Sequence, residues 1–196
     1  MSLDDEIRSA ERQVQLGDDS AKVKLAGLQA RVLFDPAPNS AGFSPCRTWR
    51  YWLTRTWDYK LPSLCVAGLN PSTADETLDD PTIRRCISFA KAWGYGGLVM
   101  LNIFAFRATD PKVMKKAVDP IGPENDYFLQ AATAGRKVLC AWGNHGAYLD
   151  RGEKVTRMLT DLGRDLVCFE ITKTNQPKHP LYMKGDAQPR RFQCQR

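Results

Sequence analysis

The sequence predicts an α/β protein with three layers, α/β/α, in which a central and mainly parallel sheet lies between helices. Short runs of β-branched and apolar residues alternate with segments whose apolar residues recur every three or four positions. This alternation is typical of strand–helix–strand units with parallel strands. The length of 196 residues suits one such domain over residues 31–196, preceded by a peripheral helical arm over residues 1–30.

The first half of the domain begins with strands. A strand is expected at residues 30–34, and the aromatic and β-branched run 49–57 predicts an edge strand. The apolar run 63–68 predicts a buried strand. The first helix begins at Asp80, because an Asp N-cap followed by Pro81 satisfies a free amide and presets φ for the first turn.

The second half continues the alternation. Strands are expected at residues 98–103, 138–142 and 166–169, and helices at 80–93, 123–134 and 145–162. The stretch 173–196 is rich in turn-forming and basic residues and predicts surface loop. Cys65, Cys86, Cys140 and Cys168 fall in apolar runs or on an apolar helix face, so we expect buried thiols there.

The composition argues against several classes of protein. No apolar run approaches the roughly 18 residues of a membrane span, and the charged start differs from a signal peptide. We therefore expect a cytoplasmic protein with no membrane partner. The six cysteines form no Cys-x-x-Cys pair and the histidines number two, so no metal site and no cofactor are expected. The net charge of +6 favours a polyanionic partner without requiring one.

Three predicted strands end in small or polar residues. Strand 63–68 runs into Asn70 and Pro71, strand 98–103 carries Asn102 near its end, and strand 138–142 is followed by a Gly-Asn-His sequence. Ligands bind at the carboxyl ends of the strands in an open α/β sheet. The side chains at these three ends are therefore expected to converge on one pocket.

The order of these motifs resembles that of the uracil-DNA glycosylase superfamily. The motifs lie within about residues 62–182 and read Gly68-Leu69-Asn70-Pro71, Leu101-Asn102, Trp142-Gly143-Asn144-His145 and His179-Pro180. The chain also resembles an uncharacterised family marked by the strings LNPSTAD at residues 69–75 and DPTIRRC at residues 80–86.

The first resemblance implies a uracil-DNA glycosylase-like fold and a hydrolase that recognises a nucleobase and cleaves an N-glycosidic bond in DNA or a nucleotide. It implies that Asn70 orients the hydrolytic water, that His179 stabilises the departing base, and that Asn102 reads the base edge. Further residues are expected to line the substrate site: Gly68, Leu69, Pro71, Ser72 and Phe104. Three cations are expected to contact nucleic acid or another anion: Arg84, Arg85 and Lys178.

The sequence departs from that pattern and leaves alternatives open. Leu181 follows His179-Pro180 where the superfamily has a serine. An asparagine at position 70 cannot accept a proton as an aspartate does. The alternative function is a non-catalytic module that binds a nucleotide or a modified base with the same fold. A third is hydrolysis of another nucleotide-like substrate. Structural roles as turn former and strand-end partner also remain open for Asn70 and Asn102.

Overall fold

The computed structural model describes residues 3–18, 21 and 39–193 and has an α/β architecture around a seven-stranded sheet. The strands are β1 (Asn39–Phe43), β2 (Arg50–Thr56), β3 (Ser63–Gly68), β4 (Gly97–Asn102), β5 (Lys137–Cys140), β6 (Asp165–Cys168) and β7 (Arg190–Arg191). The helices are α1 (Leu3–Gln15), α2 (Pro81–Ala92), α3 (Pro111–Lys115), α4 (Asn125–Ala132) and α5 (Arg151–Asp161). Two 3₁₀ segments span Asn144–Asp150 and Pro180–Tyr182. Among these helices, none is long and apolar enough to span a membrane.

The sheet is mixed, which corrects the expectation of a mainly parallel sheet. Its strand order is β1-β2-β4-β3-β5-β6-β7. Of the five inner strands, β4, β3, β5 and β6 are parallel to one another, whereas β2 and the edge strands β1 and β7 pair antiparallel with their neighbours. The predicted edge strand is β2, and it lies between β1 and β4 rather than at an edge. The strand expected at residues 30–34 falls outside the described residues, and so does the arm beyond α1, except for residues 16–18 and 21.

Helices cover both faces of the inner strands. On one face, α2 packs through Ile83, Cys86 and Phe89 against Leu64 and Met100. On the other face, α4 and α5 contribute a second core cluster that includes Leu129, Val155 and Leu159. The four cysteines expected to be buried are buried free thiols. A sheet with helices on both faces thus builds two apolar cores, each of which excludes water from one side of the sheet.

The helix starts show where local sequence decides the structure. Asp80 Oδ1 accepts a hydrogen bond of 2.8 Å from Ile83 N, and Pro81 opens α2 as predicted. The helix expected at 145–162 instead begins at Arg151. The chain before it forms a kinked 3₁₀ segment in which Leu149 and Asp150 both have φ of 56°. Gly146 in that segment packs on Trp142, where a β-carbon would lie 2.0 Å from Cδ1.

A bulge in β2 decides which way its first side chains point. Gly42 pairs with Trp52 and Phe43 pairs with Arg50, so Tyr51 is the extra residue. Tyr51 stacks on Phe128 of α4 with 4.9 Å between ring centroids. Arg50 lies on the α2 face and donates from Nη1 to the carbonyl of Ala74 at 2.6 Å. The bulge therefore directs a charged side chain towards the loop that follows β3.

Candidate functional site

The candidate site lies where two neighbouring strands connect to helices on opposite faces of the sheet. The chain passes from β3 to α2 on one face and from β5, the neighbour of β3, to α5 on the other face. In doubly wound sheets such a divergence leaves a crevice at the carboxyl ends of the strands, and ligands bind there. The residues expected around such a crevice come from the ends of β3, β4 and β5 and from the loop after β6.

Asn102 lies at the carboxyl end of β4, in register with Gly68 of β3. Its side chain is 1% exposed, and its Nδ2 has no hydrogen-bond partner within the described residues. The adjacent backbone is satisfied, because Asn125 Nδ2 donates to the carbonyls of Asn102 at 3.1 Å and Ile103 at 3.2 Å. A buried donor without an acceptor costs about 1–3 kcal/mol. The Asn102 amide is therefore a group available to a ligand.

Arg50 is a second buried donor on the same sheet face. It is 1% exposed, and Nε has no partner among the residues described. Burial lowers the pKa of its guanidinium to about 10, and the charge of Asp80 partly opposes that shift. Arg50 stands in an aromatic run, so the sequence pattern did not indicate a site residue there. The feature of the sequence that could have indicated it is a charged residue in a predicted strand rich in apolar side chains.

Arg55 lies five residues further along β2, and each nitrogen of its guanidinium donates a hydrogen bond. Its Nε donates to Asp79 Oδ1 at 2.8 Å and its Nη1 to the Thr54 carbonyl at 2.8 Å. Its Nη2 donates to the Asp75 carbonyl at 2.7 Å and the Leu78 carbonyl at 3.3 Å. Arg55 therefore fixes the loop between β3 and α2, whereas Arg50 has an Nε donor without an acceptor beside the same loop.

Asn70 ties that loop to the segment that follows β4. Its Nδ2 donates to the carbonyls of Ala108 at 2.7 Å and Pro71 at 3.1 Å. The Pro71 carbonyl in turn accepts from Ala108 N at 2.9 Å, and Ser72 Oγ donates to Thr109 Oγ1 at 3.2 Å. The amide hydrogens of Asn70 thus hold the loop in place, which leaves Oδ1 as its group for a ligand.

His179 reaches the crevice from the loop after β6. A β-carbon on Gly143, which follows β5, would lie 3.6 Å from the Cβ of His179. His179 Nδ1 accepts from Leu181 N at 3.4 Å, an arrangement that assigns the imidazole proton to Nε2. Burial lowers the pKa of His179, and the charge of Asp80 opposes the shift. A neutral imidazole with an Nε2 donor is therefore expected at pH 7.

Other residues predicted for this site lie elsewhere or already have partners. Gly68 and Leu69 are buried at the end of β3 and just beyond it, and Pro71 is buried in the loop. Phe104 is fully buried, and its ring centroid lies 5.9 Å from that of Tyr148 in the core on the α5 face. The ring is therefore enclosed in the core and does not present a surface to a ligand, whereas Phe104 was expected to line the substrate site.

The three predicted anion-contacting cations also make local contacts. Arg84 Nη1 donates to the carbonyl of Asp79. Arg85 Nη2 donates to the carbonyl of Met183, and Lys178 Nζ pairs with Glu170. Each of these contacts joins the cation to a nearby loop or strand end. These contacts account for the presence of the three cations without a nucleic-acid ligand.

A cavity opens on the α5 face next to the crevice, with a volume of about 190 Å³. Trp142 lines it and donates from Nε1 to Gln176 Oε1 at 2.9 Å. Gly152 and Thr156 of α5 contribute to the wall. Within the described part of the chain, no group of three or more His, Cys, Asp or Glu side chains could hold a metal ion.

A comparison with protein families identifies the relatives of this chain. The family model described as "Protein of unknown function (DUF1643)" matches residues 50–181, more than half of the chain. The chain belongs to the DUF1643 family. The matched range includes Arg50, Gly68, Asn102 and His179. Comparisons with curated proteins and with solved structures gave no match.

Membership of DUF1643 corrects the resemblance inferred from the motifs. The family that matches is not the uracil-DNA glycosylase superfamily, and no comparison shows a relationship to that superfamily. The superfamily assignment was therefore wrong. The physical reason lies in the motifs themselves, since Gly, Asn, Pro and His are the residues that form turns and offer polar groups at strand ends in many open α/β sheets.

Proposed function

We propose that the protein binds a nucleotide or a modified base at the crevice between the ends of β3, β4 and β5. The observation that supports this most directly is the Asn102 amide, buried at the end of β4 with a free Nδ2 donor. An amide offers a donor and an acceptor side by side, which matches the paired groups along a base edge. His179 adds a neutral imidazole beside Gly143.

Binding without cleavage fits the contacts better than hydrolysis of an N-glycosidic bond. Asn70, the group assigned to the hydrolytic water, uses its amide hydrogens on the carbonyls of Pro71 and Ala108. The carboxylate whose charge acts on His179 is Asp80, and its Oδ1 caps α2. An amide such as that of Asn70 does not accept a proton from water as a general base must, and the cap of α2 engages one of the two Asp80 oxygens.

The test is a binding titration with nucleosides, nucleoside 5′-monophosphates and modified bases, followed by calorimetry. Asn102→Asp keeps the shape of the side chain but replaces the donor with a carboxylate, so we expect roughly tenfold or greater loss of affinity. Gln130→Glu makes the same chemical change at an exposed position of α4 and serves as the control. Its affinity is expected to equal that of the unmodified protein.

Two results would contradict the proposal. Binding of none of these ligands would overturn it. The second is release of free base from a nucleoside, nucleotide or oligonucleotide, detected by chromatography and lost in Asn70→Ala. That result would favour hydrolysis over binding without cleavage.

A further inference from the structure

We propose that Arg50, the Asn102 amide and the amino-terminal end of α2 form a subsite for an oxyanion within the crevice. This inference rests on the proposed function and narrows its ligand to the phosphorylated or otherwise anionic members of the class, such as a nucleoside 5′-monophosphate, rather than the neutral nucleoside.

The two side chains lie at one end and on one face of the sheet. A β-carbon on Gly68 would lie 2.5 Å from Met100 Cε and 3.0 Å from Asn102 Oδ1, so Asn102 shares the face of Met100. Met100 belongs to the core cluster under α2, and so does Ala74. Arg50 donates to the carbonyl of Ala74. Arg50 therefore lies beside the loop that leads into α2, and Asn102 lies on the same face beside Gly68, after which that loop begins.

Both groups are donors that lack an acceptor. Asn102 Nδ2 and Arg50 Nε are each buried, and neither has a partner within the described residues. A guanidinium and an amide N–H together suit an oxygen-rich anion, because guanidinium groups bind phosphate and carboxylate through paired N–H donors. One ligand oxyanion would satisfy two buried groups that otherwise carry the cost of lost hydration.

The nearby carboxylates already have other partners. Asp79 pairs with Arg55 at 2.8 Å. Asp75 Oδ1 accepts from the backbone amides of Thr77 at 2.9 Å and Leu78 at 2.8 Å. Asp80 Oδ1 accepts from Ile83 N. Arg50 makes no salt bridge with any of them, so a buried cation is left for a ligand to neutralise.

The amino-terminal end of α2 adds a third favourable contribution to the binding of an anion. Loop 69–80 leads directly into α2, which is 12 residues long. The amino terminus of a helix carries a partial positive charge and favours anions. Burial lowers the pKa of Arg50 to about 10 and the charge of Asp80 opposes that shift, so the guanidinium remains protonated at neutral pH.

The experiment measures thermal stability and affinity with three probes: inorganic phosphate, acetate, and the four nucleoside 5′-monophosphates alongside their nucleosides. Chloride at equal ionic strength is the reference. We expect phosphate to raise the melting temperature, and each monophosphate to bind roughly tenfold or more tightly than its nucleoside. Acetate alone having that effect would assign the subsite to carboxylates and overturn the choice of nucleotide.

Arg50→Met is the decisive variant. It should abolish the phosphate effect and the preference for monophosphates. It should change the melting temperature in chloride little, because loss of the hydrogen bond to the Ala74 carbonyl is offset by exchange of a buried charge without an ion-pair partner for an apolar side chain of similar size. Arg164→Met is the matched control. Arg164 also has a buried Nε without a partner in the described chain, but it precedes β6 at the opposite end of the sheet. This control should keep both effects.

The possible outcomes separate the subsite from the proposed function. Equal binding of nucleosides and monophosphates, unchanged in Arg50→Met, would overturn the subsite and leave the proposed function standing. Arg50-dependent binding of phosphate without binding of any nucleoside or nucleotide would support the subsite and overturn the proposed function. If Arg50→Met fails to fold, Asn102→Asp gives the same test, because a carboxylate there should repel phosphate. A phosphate effect retained in that variant would overturn the subsite.

Discussion

Asn102 Oδ1 lies so close above Gly68 that a β-carbon at position 68 would stand 3.0 Å from that oxygen. The two residues are register partners at the ends of β4 and β3. A side chain at position 68 would therefore clash with the Asn102 amide, which is the main ligand-binding group of the candidate site. Gly68 fits here because of this close approach and not because of an unusual backbone angle.

Gly68→Ala should weaken both the fold and the site. The β-carbon would come within 2.5 Å of Met100 Cε, which is the flexible end of a side chain, and would displace Asn102. We expect a loss of about 1–3 kcal/mol in the free energy of unfolding and reduced nucleotide affinity. Urea denaturation and calorimetry measure the two effects. Gly185→Ala is the control, because nothing lies within 4 Å of a β-carbon there. Equal stability of both variants would refute the steric argument.

Arg55→Met should destabilise the protein strongly, in contrast to Arg50→Met. Arg55 has a side chain 6% exposed and pairs with Asp79 at 2.8 Å. Its loss would leave a partly buried carboxylate and two loop carbonyls without their donor, at a cost of about 2–4 kcal/mol. The measurement is the midpoint of urea unfolding for the two variants side by side. A similar midpoint for both would mean that hydrogen bonding does not distinguish the two arginines.

The sequence predicted those parts of the structure that depend on neighbouring residues. The Asp80 N-cap and Pro81 determine where α2 begins, since an N-cap acts within one turn. Alternation of strands and helices identified the four parallel strands because each strand–helix unit is local. The 3₁₀ segment before α5 was missed, because Gly146 packs on Trp142 and the preference of the surrounding residues for helix does not reveal that contact.

Pairing partners and side-chain roles depend on contacts distant in sequence. The run that became β2 reads the same at an edge or inside a sheet, and its Tyr51 bulge is visible only in the register with β1. Asn70 donates to Ala108, 38 residues away, so its role in holding the loop could not be read from the Asn-Pro sequence. The unpartnered donors of Arg50 and Asn102 are likewise a property of their surroundings.

Stability should rise with pH through the range in which His179 titrates. Burial holds the pKa of His179 below its ordinary value of 6.5, so between the two values the unfolded chain binds more protons than the folded chain. The contribution is therefore complete above about pH 6.5 and is lost as the pH falls through the folded value. His145, whose pKa burial and Lys115 also lower, acts in the same direction.

Urea unfolding at several pH values between about 5 and 7.5, a range that covers the ordinary histidine pKa, measures this dependence. His179→Gln should reduce the slope, and His145→Gln should reduce it separately. An unchanged slope in His179→Gln would show that its imidazole is not held neutral by burial.

Cys46 should be the most reactive thiol among the five cysteines described. It is exposed, and its Sγ lies 3.4 Å from Ser44 Oγ and 3.2 Å from Thr48 Oγ1. In the thiol form Cys46 Sγ donates to Thr48 Oγ1. The hydrogen bonds with the two hydroxyls favour the thiolate and lower the pKa of Cys46 to about 7, with Ser44 the larger cause. Burial instead raises the pKa of Cys65 and Cys86 to about 12. Since the thiolate is the nucleophile, iodoacetamide near neutral pH should label Cys46 first.

Peptide mapping by mass spectrometry identifies the labelled positions over time. Ser44→Ala should slow the labelling of Cys46 near pH 7 and have little effect well above pH 9, because every exposed thiol is ionised there. Thr48→Val should act in the same way and more weakly, since the Thr48 hydroxyl is the smaller cause. If both variants react at the unmodified rate at neutral pH, the hydroxyls do not control this thiol, and exposure alone accounts for its reactivity.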